Sequence, residues 1–585
     1  MNDRWNLDPI YKGFEDPAFA QDMQSLEQAV KELSALAESL EGEPVSLLKR
    51  SLHLQETLAN LAEKLFLYAE LRQSADTSDA EAGSQMGKIM SIFSESAAPN
   101  AAIESWTASL PDLDALIDRD EYLGGYRFLL QQRRKSSSHN LPGIGERVMA
   151  KLKISGSSAW AELQQYLTST VKANFRGEEI GLSAVRNLAY SADASVRKDA
   201  YEAELRCYKA IEDPVAYALN SLKLETLNEC ALRGYESPLS RSLENANMQQ
   251  ATLNAMFAAI DEKLPKFRKY LRAKAEALGY QNGLPWYELF APMGECSTRF
   301  TVQQARDYLV ELFSHFDVEL SDMVARAFDN AWIDFYPRDG KAGGAFCAGV
   351  PCLGESRILT NFDGTLSDVV TLAHELGHAY HNQCIRSHRP LNRDYSMPVA
   401  ETASTFNECV VMNHAIAHAA NSKEKLNLIE SQLADVTQII VDIDSRFRFE
   451  DAVLRNRGEK FMPAKELCDM MLTAQADSYG DGLDETLRHP YMWVCKSHYY
   501  GSTFYNYPYA FGGLFARGLY AKYVQEGAAF VPTYKRLLYT TTIASAEDTA
   551  KVAGIDLTDI AFWRSALEEV EQKIDIFCEM VKEGL

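Results

Sequence analysis

The stretch from Thr365 to Ser387, TLSDVVTLAHELGHAYHNQCIRS, restricts the fold of this chain more than any other part of it. It contains the pattern H-E-x-x-H, in which His374 and His378 are four positions apart. On a helix, positions i and i+4 lie on one face, so both imidazoles can reach one point, as two ligands of a zinc ion must. The other faces are mostly apolar, which indicates burial, and buried imidazoles need partners. The pattern predicts a buried, zinc-binding helix near residues 366–387; the alternative is a surface helix with two unrelated histidines.

A catalytic zinc needs a third protein ligand, with the fourth position left for water. In the pattern H-E-x-x-H-x-x-G-x-x-H the third ligand falls six residues after the second histidine, but Cys384 stands there. A glutamate on a following helix is the other common arrangement, and Glu401 and Glu408 are seven residues apart and so share a helix face. We predict Glu401 as the third ligand and Glu408 as the acceptor that orients an imidazole N–H. Glu375 lies about 100° round the helix from its neighbour His374 and flanks the metal.

A β-like region lies directly before this helix. The runs WIDFYP, GGAFCAGV and RILTNF, within residues 332–363, are separated by glycine, proline and charged turns. Glycines let another backbone approach closely, as the edge of a sheet that receives an extended peptide requires. We expect a small sheet here, with Gly343, Gly344, Ala345 and Phe346 as the candidate substrate strand. A sheet with no binding role is the alternative.

Helical periodicity covers most of the remaining chain. It extends from about residue 16 to residue 110, where Leu-Pro-Asp breaks it, and it returns from residue 183 onward. TVKANFRGEEIGL, residues 170–182, alternates around Arg-Gly and predicts a short hairpin. The run RRKSSSH, residues 133–139, is typical of an exposed loop. Residues 399–418 predict a second buried helix after the metal-binding one.

Composition limits the partners and the compartment. A net charge of −23 argues against nucleic acid or an anionic membrane as a partner, since both prefer a basic surface. The ten cysteines include no C-x-x-C pair, which is typical of reduced thiols and not of a disulfide framework. The start, MNDRWNLDPIYKGF, lacks the apolar region of a secretory signal, and no apolar run is long enough to span a membrane. We therefore expect a cytoplasmic protein.

His414 and His418 repeat the i, i+4 spacing, but no acidic residue lies between them. We interpret these two histidines as helix packing or surface residues, and not as a second metal site.

Several stretches together resemble the M3 family of zinc metallopeptidases, and most of all its oligoendopeptidase F branch. They are WNLDPIYKGF, LSRSLENANM, GKAGGAFCAGVP, HELGHAYH, AETASTFNE and HYYGSTFYNYPYAFG, and they span nearly the whole chain. The resemblance implies a mainly α fold: a large helical two-lobed ellipsoid with a deep substrate channel and a small β-sheet next to the HExxH helix. We divide the chain into an N-terminal helical lobe, residues 1–200, and a catalytic peptidase domain, residues 201–585.

The resemblance also implies an activity, which is hydrolysis of internal bonds in short peptides with one zinc ion per chain. His374, His378 and Glu401 match the family's zinc ligands, and Glu375 matches its general base. Zinc lowers the pKa of its water and polarises the scissile carbonyl, while the glutamate takes the water's proton.

The aromatic segment HYYGSTFYNYPYAFG matches the family's transition-state donors. His498 is the histidine of this match, and the tyrosine is Tyr505, Tyr507 or Tyr509. We favour Tyr509, and then Tyr505. Aromatic core is the alternative for the tyrosines, and a buried core histidine is the alternative for His498.

Two other functions fit parts of the sequence. A peptide-binding protein could keep zinc for structure only, but such a site uses four protein ligands, typically cysteines, and three ligands are visible here. A carboxypeptidase or dipeptidase on a similar helical body would need an Arg or Lys near the metal to bind the terminal carboxylate. The sequence does not place that residue.

Overall fold

Helices form most of the chain, so the prediction of a mainly α fold is confirmed. The computed structural model describes residues 2–294 and 298–584. Cys296, one of the ten cysteines, lies outside the described residues. The two-lobed shape and the deep channel stay predictions.

The N-terminal helices follow the predicted periodicity. Asp16 caps the first of them, because its side chain accepts a hydrogen bond from the Ala18 N–H and proline follows at the first helical position. The predicted break at Leu-Pro-Asp is confirmed, because the fourth of these helices ends there. The helices are α1 (Pro17–Glu38), α2 (Pro44–Ala75), α3 (Ala80–Ser94), α4 (Ala97–Ser109), α5 (Leu113–Ile117), α6 (Glu121–Gly124), α7 (Arg127–Ser137), α8 (Gly143–Lys153) and α9 (Ala159–Thr170).

The predicted loop at residues 133–139 is wrong for most of its length, because α7 continues to Ser137. Arg133 is only partly exposed and donates to Gln55 on α2 at 2.9 Å, which holds this helix against its neighbour. The serine hydroxyls that follow donate to carbonyl groups three residues earlier, so they do not break the helix at its end.

The predicted hairpin is confirmed. Strands β1 (Lys172–Phe175) and β2 (Glu178–Gly181) pair antiparallel around the Arg176–Gly177 turn. Long helices follow: α10 (Leu182–Asn187), α11 (Ala194–Arg233), α12 (Pro238–Asn245), α13 (Gln250–Ala277), α14 (Val302–Ser314) and α15 (Val318–Asp329).

A three-stranded sheet stands directly before the HExxH helix, as predicted. It contains β3 (Ile333–Asp334), β4 (Phe346–Val350) and β5 (Glu355–Leu359) in the order β3–β5–β4. The β3–β5 pair is parallel and the β4–β5 pair is antiparallel, so β4 forms an edge.

The remaining helices begin with the HExxH helix. They are α16 (Leu366–Ile385), α17 (Met397–Ala400), α18 (Thr402–Ala417), α19 (Ser422–Thr437), α20 (Ile443–Arg457), α21 (Ala464–Tyr479), α22 (Met492–Cys495), α23 (His498–Gly501), α24 (Tyr507–Glu526), α25 (Val531–Thr540), α26 (Ala546–Lys551) and α27 (Ile560–Lys582). In the part of the chain that the structure describes, no helix has the length and apolarity needed to cross a membrane.

The sheet lies between two hydrophobic cores. Val350 of β4 belongs to a core formed mainly by the N-terminal helices, with Phe346 packed against it, whereas Cys347 packs on the main core. The main core draws its buried residues from Ala173 to Met580. The predicted division of the chain near residue 200 stays a prediction.

The closest backbone approach beside the site lies at Gly377 of α16. A β-carbon at this position would lie 2.5 Å from the Cα of Ser404 and 2.6 Å from the carbonyl oxygen of Ala403, both on α18. Neither atom belongs to a side chain that can move aside. Glycine is therefore required for α16 and α18 to pack at this distance.

We predict that Gly377→Ala forces the two helices apart and lowers the free energy of unfolding by about 1–3 kcal/mol, or more, because overpacking strains a close contact. Urea denaturation measures the change. Gly87→Ala is the control, since Gly87 lies in α3 with open space around it, and alanine there should stabilise the helix by up to about 1 kcal/mol. Equal stability of Gly377→Ala and the wild type would contradict the packing argument.

Candidate metal centre

Helix α16 presents two imidazoles on one face. The Nε2 atoms of His374 and His378 are 3.2 Å apart, and the two rings are nearly perpendicular, at 80°. The helix begins with a capping box, in which the side chains of Thr365 and Asp368 each accept from the other's backbone N–H. This cap fixes the start of α16 and with it the position of both rings.

Glu401 reaches the imidazoles from the break between α17 and α18. The sequence predicts one helix over residues 399–418, but this is wrong at Glu401, where φ −89° and ψ 10° interrupt the helical backbone. Glu401 Oε2 lies 3.3 Å from His374 Nε2 and 3.4 Å from His378 Nε2. Ser404 Oγ donates to the same carboxylate oxygen at 2.7 Å and so fixes its orientation.

The spacing of these three ligand atoms suits a tetrahedral metal ion. Zinc bound to nitrogen and oxygen at its usual bond lengths separates neighbouring ligand atoms by about 3.3 Å. The three observed separations are 3.2, 3.3 and 3.4 Å. Within residues 2–294 and 298–584, His374, His378 and Glu401 are the group of histidine, cysteine or acidic side chains that converges in this way. The residues present therefore fit the ion.

Glu408 holds His374 from the opposite side of the ring. Its Oε1 atom lies 2.6 Å from His374 Nδ1 and accepts the ring N–H, which leaves Nε2 directed at the metal position. Burial disfavours the charged imidazole, but hydrogen bonds to Glu401 and Glu408 outweigh burial and raise the pKa of His374 to about 10. A histidine binds a metal through an unprotonated nitrogen, so metal binding at this site releases a proton.

Glu375 lies beside the ligands without joining them. Glu375 is only 6% exposed. Burial raises the pKa of Glu375, although the imidazoles of His374 and His378 act in the opposite direction. A carboxylate with a raised pKa is better matched to taking up and returning a proton near neutral pH.

His498, Tyr505 and Tyr509 form an aromatic cluster. The Tyr509 hydroxyl lies 3.4 Å from His498 Nε2, and the rings of His498 and Tyr505 stack at 5.6 Å. One turn further along α24, a β-carbon on Gly512 would lie 3.3 Å from the β-carbon of Glu401. The start of α24 therefore lies against the third candidate ligand and brings the cluster next to it.

Tyr507 stands apart from this cluster. It is 1% exposed, and its hydroxyl lies 3.2 Å from Ser242 Oγ on α12. Of the three tyrosines that the sequence left open, the structure brings Tyr505 and Tyr509 to His498 and directs Tyr507 into the core.

The predicted substrate strand begins later than expected. Of its four residues, Phe346 alone belongs to β4, and the strand assignment is wrong for Gly343, Gly344 and Ala345. Gly344 has φ +79°, which lies outside the β region. Asn361 Nδ2 donates to the Gly344 carbonyl oxygen at 2.9 Å and holds this turn in front of the strand.

Sequence reasoning missed Tyr395, which lies in the irregular segment before α17. Its ring stacks on His381 at 4.5 Å with an interplanar angle of 7°, and it faces Cys347 of β4 and Glu401. For His381 the sequence did contain a signal. The H-E-x-x-H-x-x-H spacing indicates that His381 lies close to His378, because positions 378 and 381 are on neighbouring faces of one helix. No sequence pattern indicated the tyrosine.

The second histidine pair packs as predicted. His414 Nδ1 lies 3.0 Å from the Tyr308 hydroxyl, and the rings of His414 and His418 stack at 4.1 Å.

Comparisons with known proteins give the class of this site. Residues 187–569 match the model of Peptidase family M3, and residues 108–172 match the model of Oligopeptidase F. Oligopeptidase PepF of Bacillus subtilis is 23% identical over 99% of this chain and 87% of its own length. The fold of oligoendopeptidase-F from Enterococcus faecium superposes with a TM-score of 0.73 at 18% identity, over 97% of this chain and 99% of that one. A solved structure from Chlamydophila abortus gives a TM-score of 0.84 at 21% identity, over 99% and 98%.

The fold and the three-ligand site, with these matches, are those of a metallo-oligopeptidase. The family model covers more than half of the sequence, so the chain belongs to peptidase family M3.

We predict that the wild type binds one equivalent of zinc and that His378→Ala, which removes one of three ligands, does not retain it after dialysis. Metal content per chain measures both values. His414→Ala is the matched control, because it alters a histidine of the same i, i+4 spacing that packs on Tyr308. Loss of zinc from the control, or its retention by His378→Ala, would contradict the ligand assignment.

Proposed function

We propose that this chain is a zinc-dependent endopeptidase that hydrolyses internal bonds of short oligopeptides. The observation that carries the proposal is the tetrahedral spacing of three ligand atoms beside a buried glutamate. The names of the B. subtilis and E. faecium relatives, an oligopeptidase and an oligoendopeptidase, support the substrate class.

Glu375 is the proposed general base. When zinc is bound, it supplies Lewis acidity, which polarises the scissile carbonyl and lowers the pKa of water. Glu375 accepts a proton from the attacking water and returns it to the leaving amine. Its burial supports this role, because a carboxylate that is poorly solvated holds a transferred proton more readily.

His498 and Tyr509 are the proposed donors to the carbonyl oxygen as it gains negative charge. Burial, and then the nearby cations Arg446 and Lys496, lower the pKa of His498, which keeps its ring neutral with one N–H to donate. Burial is the main cause that raises the pKa of Tyr509 to about 12, so its hydroxyl keeps its proton at neutral pH. Each such donor contributes roughly 3 kcal/mol to transition-state stabilisation in comparable sites.

The free edge of β4 is the proposed docking site for the substrate backbone. Among the described strands, β4 pairs with β5 alone, so its other edge can accept an extended peptide. A β-carbon at Gly343 or Gly344 would meet no atom within 4 Å, which leaves space at the turn that precedes this strand.

A reducing, cytoplasmic location is also part of the proposal. The cysteines that the structure describes are all free, including pairs that lie close in sequence such as Cys347 and Cys352. Free thiols of this kind suit a compartment in which disulfides do not persist.

We predict that peptides of about ten residues, acetylated and amidated at their ends, are cut at internal bonds, since an endopeptidase does not need a free terminus. A folded globular protein should resist, because exposing an extended segment requires unfolding, which costs about 5–15 kcal/mol. Mass spectrometry of the products measures both outcomes.

Glu375→Gln is the control, because it keeps the three ligands and removes only the base. It should bind zinc and cut neither substrate. Cleavage that requires a free C-terminal carboxylate would replace the proposal with the carboxypeptidase alternative, and digestion of the folded protein would remove the size limit.

We predict that Tyr509→Phe lowers kcat about 100- to 1000-fold with little change in KM, because the hydroxyl acts on charge that appears only in the transition state. Steady-state kinetics on one blocked peptide separates the two constants. Tyr507→Phe is the matched control: its hydroxyl contacts Ser242 and should leave kcat nearly unchanged. An effect on KM alone would make Tyr509 a substrate-holding residue.

A further inference from the structure

The residues of the aromatic cluster stand in and on both sides of a short irregular segment, residues 502–506. His498 begins α23 before the segment, Tyr509 lies in the first turn of α24 after it, and Tyr505 belongs to the segment itself. The Tyr505 hydroxyl lies 3.5 Å from Met397 Sδ, on the short helix α17 that ends directly before the third candidate ligand. The conformation of this segment therefore sets where the aromatic cluster lies beside the metal centre.

The backbone of the segment is strained. Phe504 has φ +54°, in the left-handed region, which is rare for a bulky residue. The residue is also 2% exposed, and its ring lies 5.2 Å from that of Phe447 on α20. A strained backbone persists only where the surrounding structure holds it. Contacts at the ends of the segment are therefore needed to keep it from relaxing.

A buried ion pair supplies these contacts. Lys223 of α11 donates to Glu450 Oε1 of α20 at 2.6 Å, and both residues are 1% exposed. The second oxygen of this carboxylate, Oε2, accepts a hydrogen bond of 3.2 Å from Asn506 Nδ2, at the end of the segment. Lys223 Nζ also lies 3.5 Å from the carbonyl oxygen of Ser502, at the start of the segment. One ion pair thus contacts both ends.

The orientation of Asn506 depends on this carboxylate. Asn506 is buried, and its Oδ1 atom has no hydrogen-bond partner among the described residues. Its side chain does not cap α24, so the hydrogen bond to Glu450 is the polar contact that orients it. The carbonyl oxygen of Asn506 accepts from the Tyr509 N–H at 3.1 Å. The bond to Glu450 therefore also fixes the first turn of α24, where Tyr509 stands.

We propose that Lys223 and Glu450 are positioning residues of the candidate active site, which hold the 502–506 segment at both ends. Through the segment they place Tyr505, and they place the Tyr509 hydroxyl that faces His498. Neither residue is a candidate metal ligand, and both act on the reaction only through the segment. The inference rests on the proposed function, in which the Tyr509 hydroxyl donates to the carbonyl oxygen of the substrate.

Replacing both members of the pair separates positioning from stability. A single substitution would leave one charge buried and alone, whereas apolar replacement of a whole buried pair is often neutral or stabilising. The methionine double variant, Lys223→Met with Glu450→Met, should therefore keep its zinc and its resistance to urea. It should lower kcat about 10- to 100-fold with little change in KM, because a displacement of about 1 Å in a catalytic group has an effect of this size.

A conservative variant and a matched control complete the kinetic test. Lys223→Met with Glu450→Gln should recover most of kcat, because the glutamine oxygen accepts from Asn506 Nδ2 without burying a charge. The control is Lys274→Met with Glu430→Met, a buried pair of α13 and α19 with 2.5 Å between Nζ and Oε1. In the described part of the chain none of its hydrogen bonds reaches the segment, so kcat should not change.

Hydrogen exchange reports on the segment without requiring activity. Mass spectrometry of peptides from residues 498–509 should show faster exchange in the methionine double variant, because the N–H groups of Ser502 and Tyr509 bond to nearby carbonyl groups while the segment is held. Asn506→Ala keeps the ion pair and removes one anchor alone. It should show the same faster exchange, and it tests the inference even if the double variant does not fold.

Wild-type exchange of residues 498–509 in these variants, or an unchanged kcat in the methionine double variant, would overturn the inference. An equal loss of kcat in the Lys223→Met, Glu450→Gln variant would overturn it as well, since the lysine would then act on the substrate directly. A wild type that hydrolyses no peptide would end the proposed function. The exchange rates would still decide whether the ion pair holds the segment.

Discussion

The contact of two helix backbones at Gly377 is the constraint on which the site depends. It brings α18 within 2.5 Å of where a side chain on α16 would begin. Both histidines stand on one of these helices, while Glu401 stands at the start of the other and Glu408 near its middle. Any larger residue between the helices would separate the imidazoles from both carboxylates at once. The absence of a β-carbon at Gly377 therefore sets the distances between the candidate ligands and the orientation of His374.

Buried ion pairs fix the long helices around this contact. Lys223 of α11 donates to Glu450 of α20 at 2.6 Å, and Lys274 of α13 donates to Glu430 of α19 at 2.5 Å. Such pairs add little net stability, but a shifted register would leave a charge buried and alone. The interior is thus balanced charge against charge, and the excess of acidic residues falls mostly on the surface.

Much of the fold and the ligand set follows from the sequence because helix geometry relates spacing to direction. Periodicity predicted α16, and the seven-residue spacing predicted that Glu401 and Glu408 share a helix face. The break at Glu401 was not predictable, since the residues around it have ordinary helix propensity. The turn at Gly344 depends on a long-range contact from Asn361.

Helix α24 lies late in the chain, yet it forms the wall beside Glu401 and carries Tyr509. Protein synthesis delivers the chain from its N-terminus, and domains fold as they emerge. When α16 and α18 have emerged from the ribosome, α24 has not yet been synthesised. The chain then still lacks this wall and the hydroxyl of Tyr509. Because the helices of the candidate ligands precede the helix that lies against Glu401, the growing chain holds an unfinished centre. In a chain arranged in this order, the surroundings of Glu401 are complete only after α24 has been synthesised.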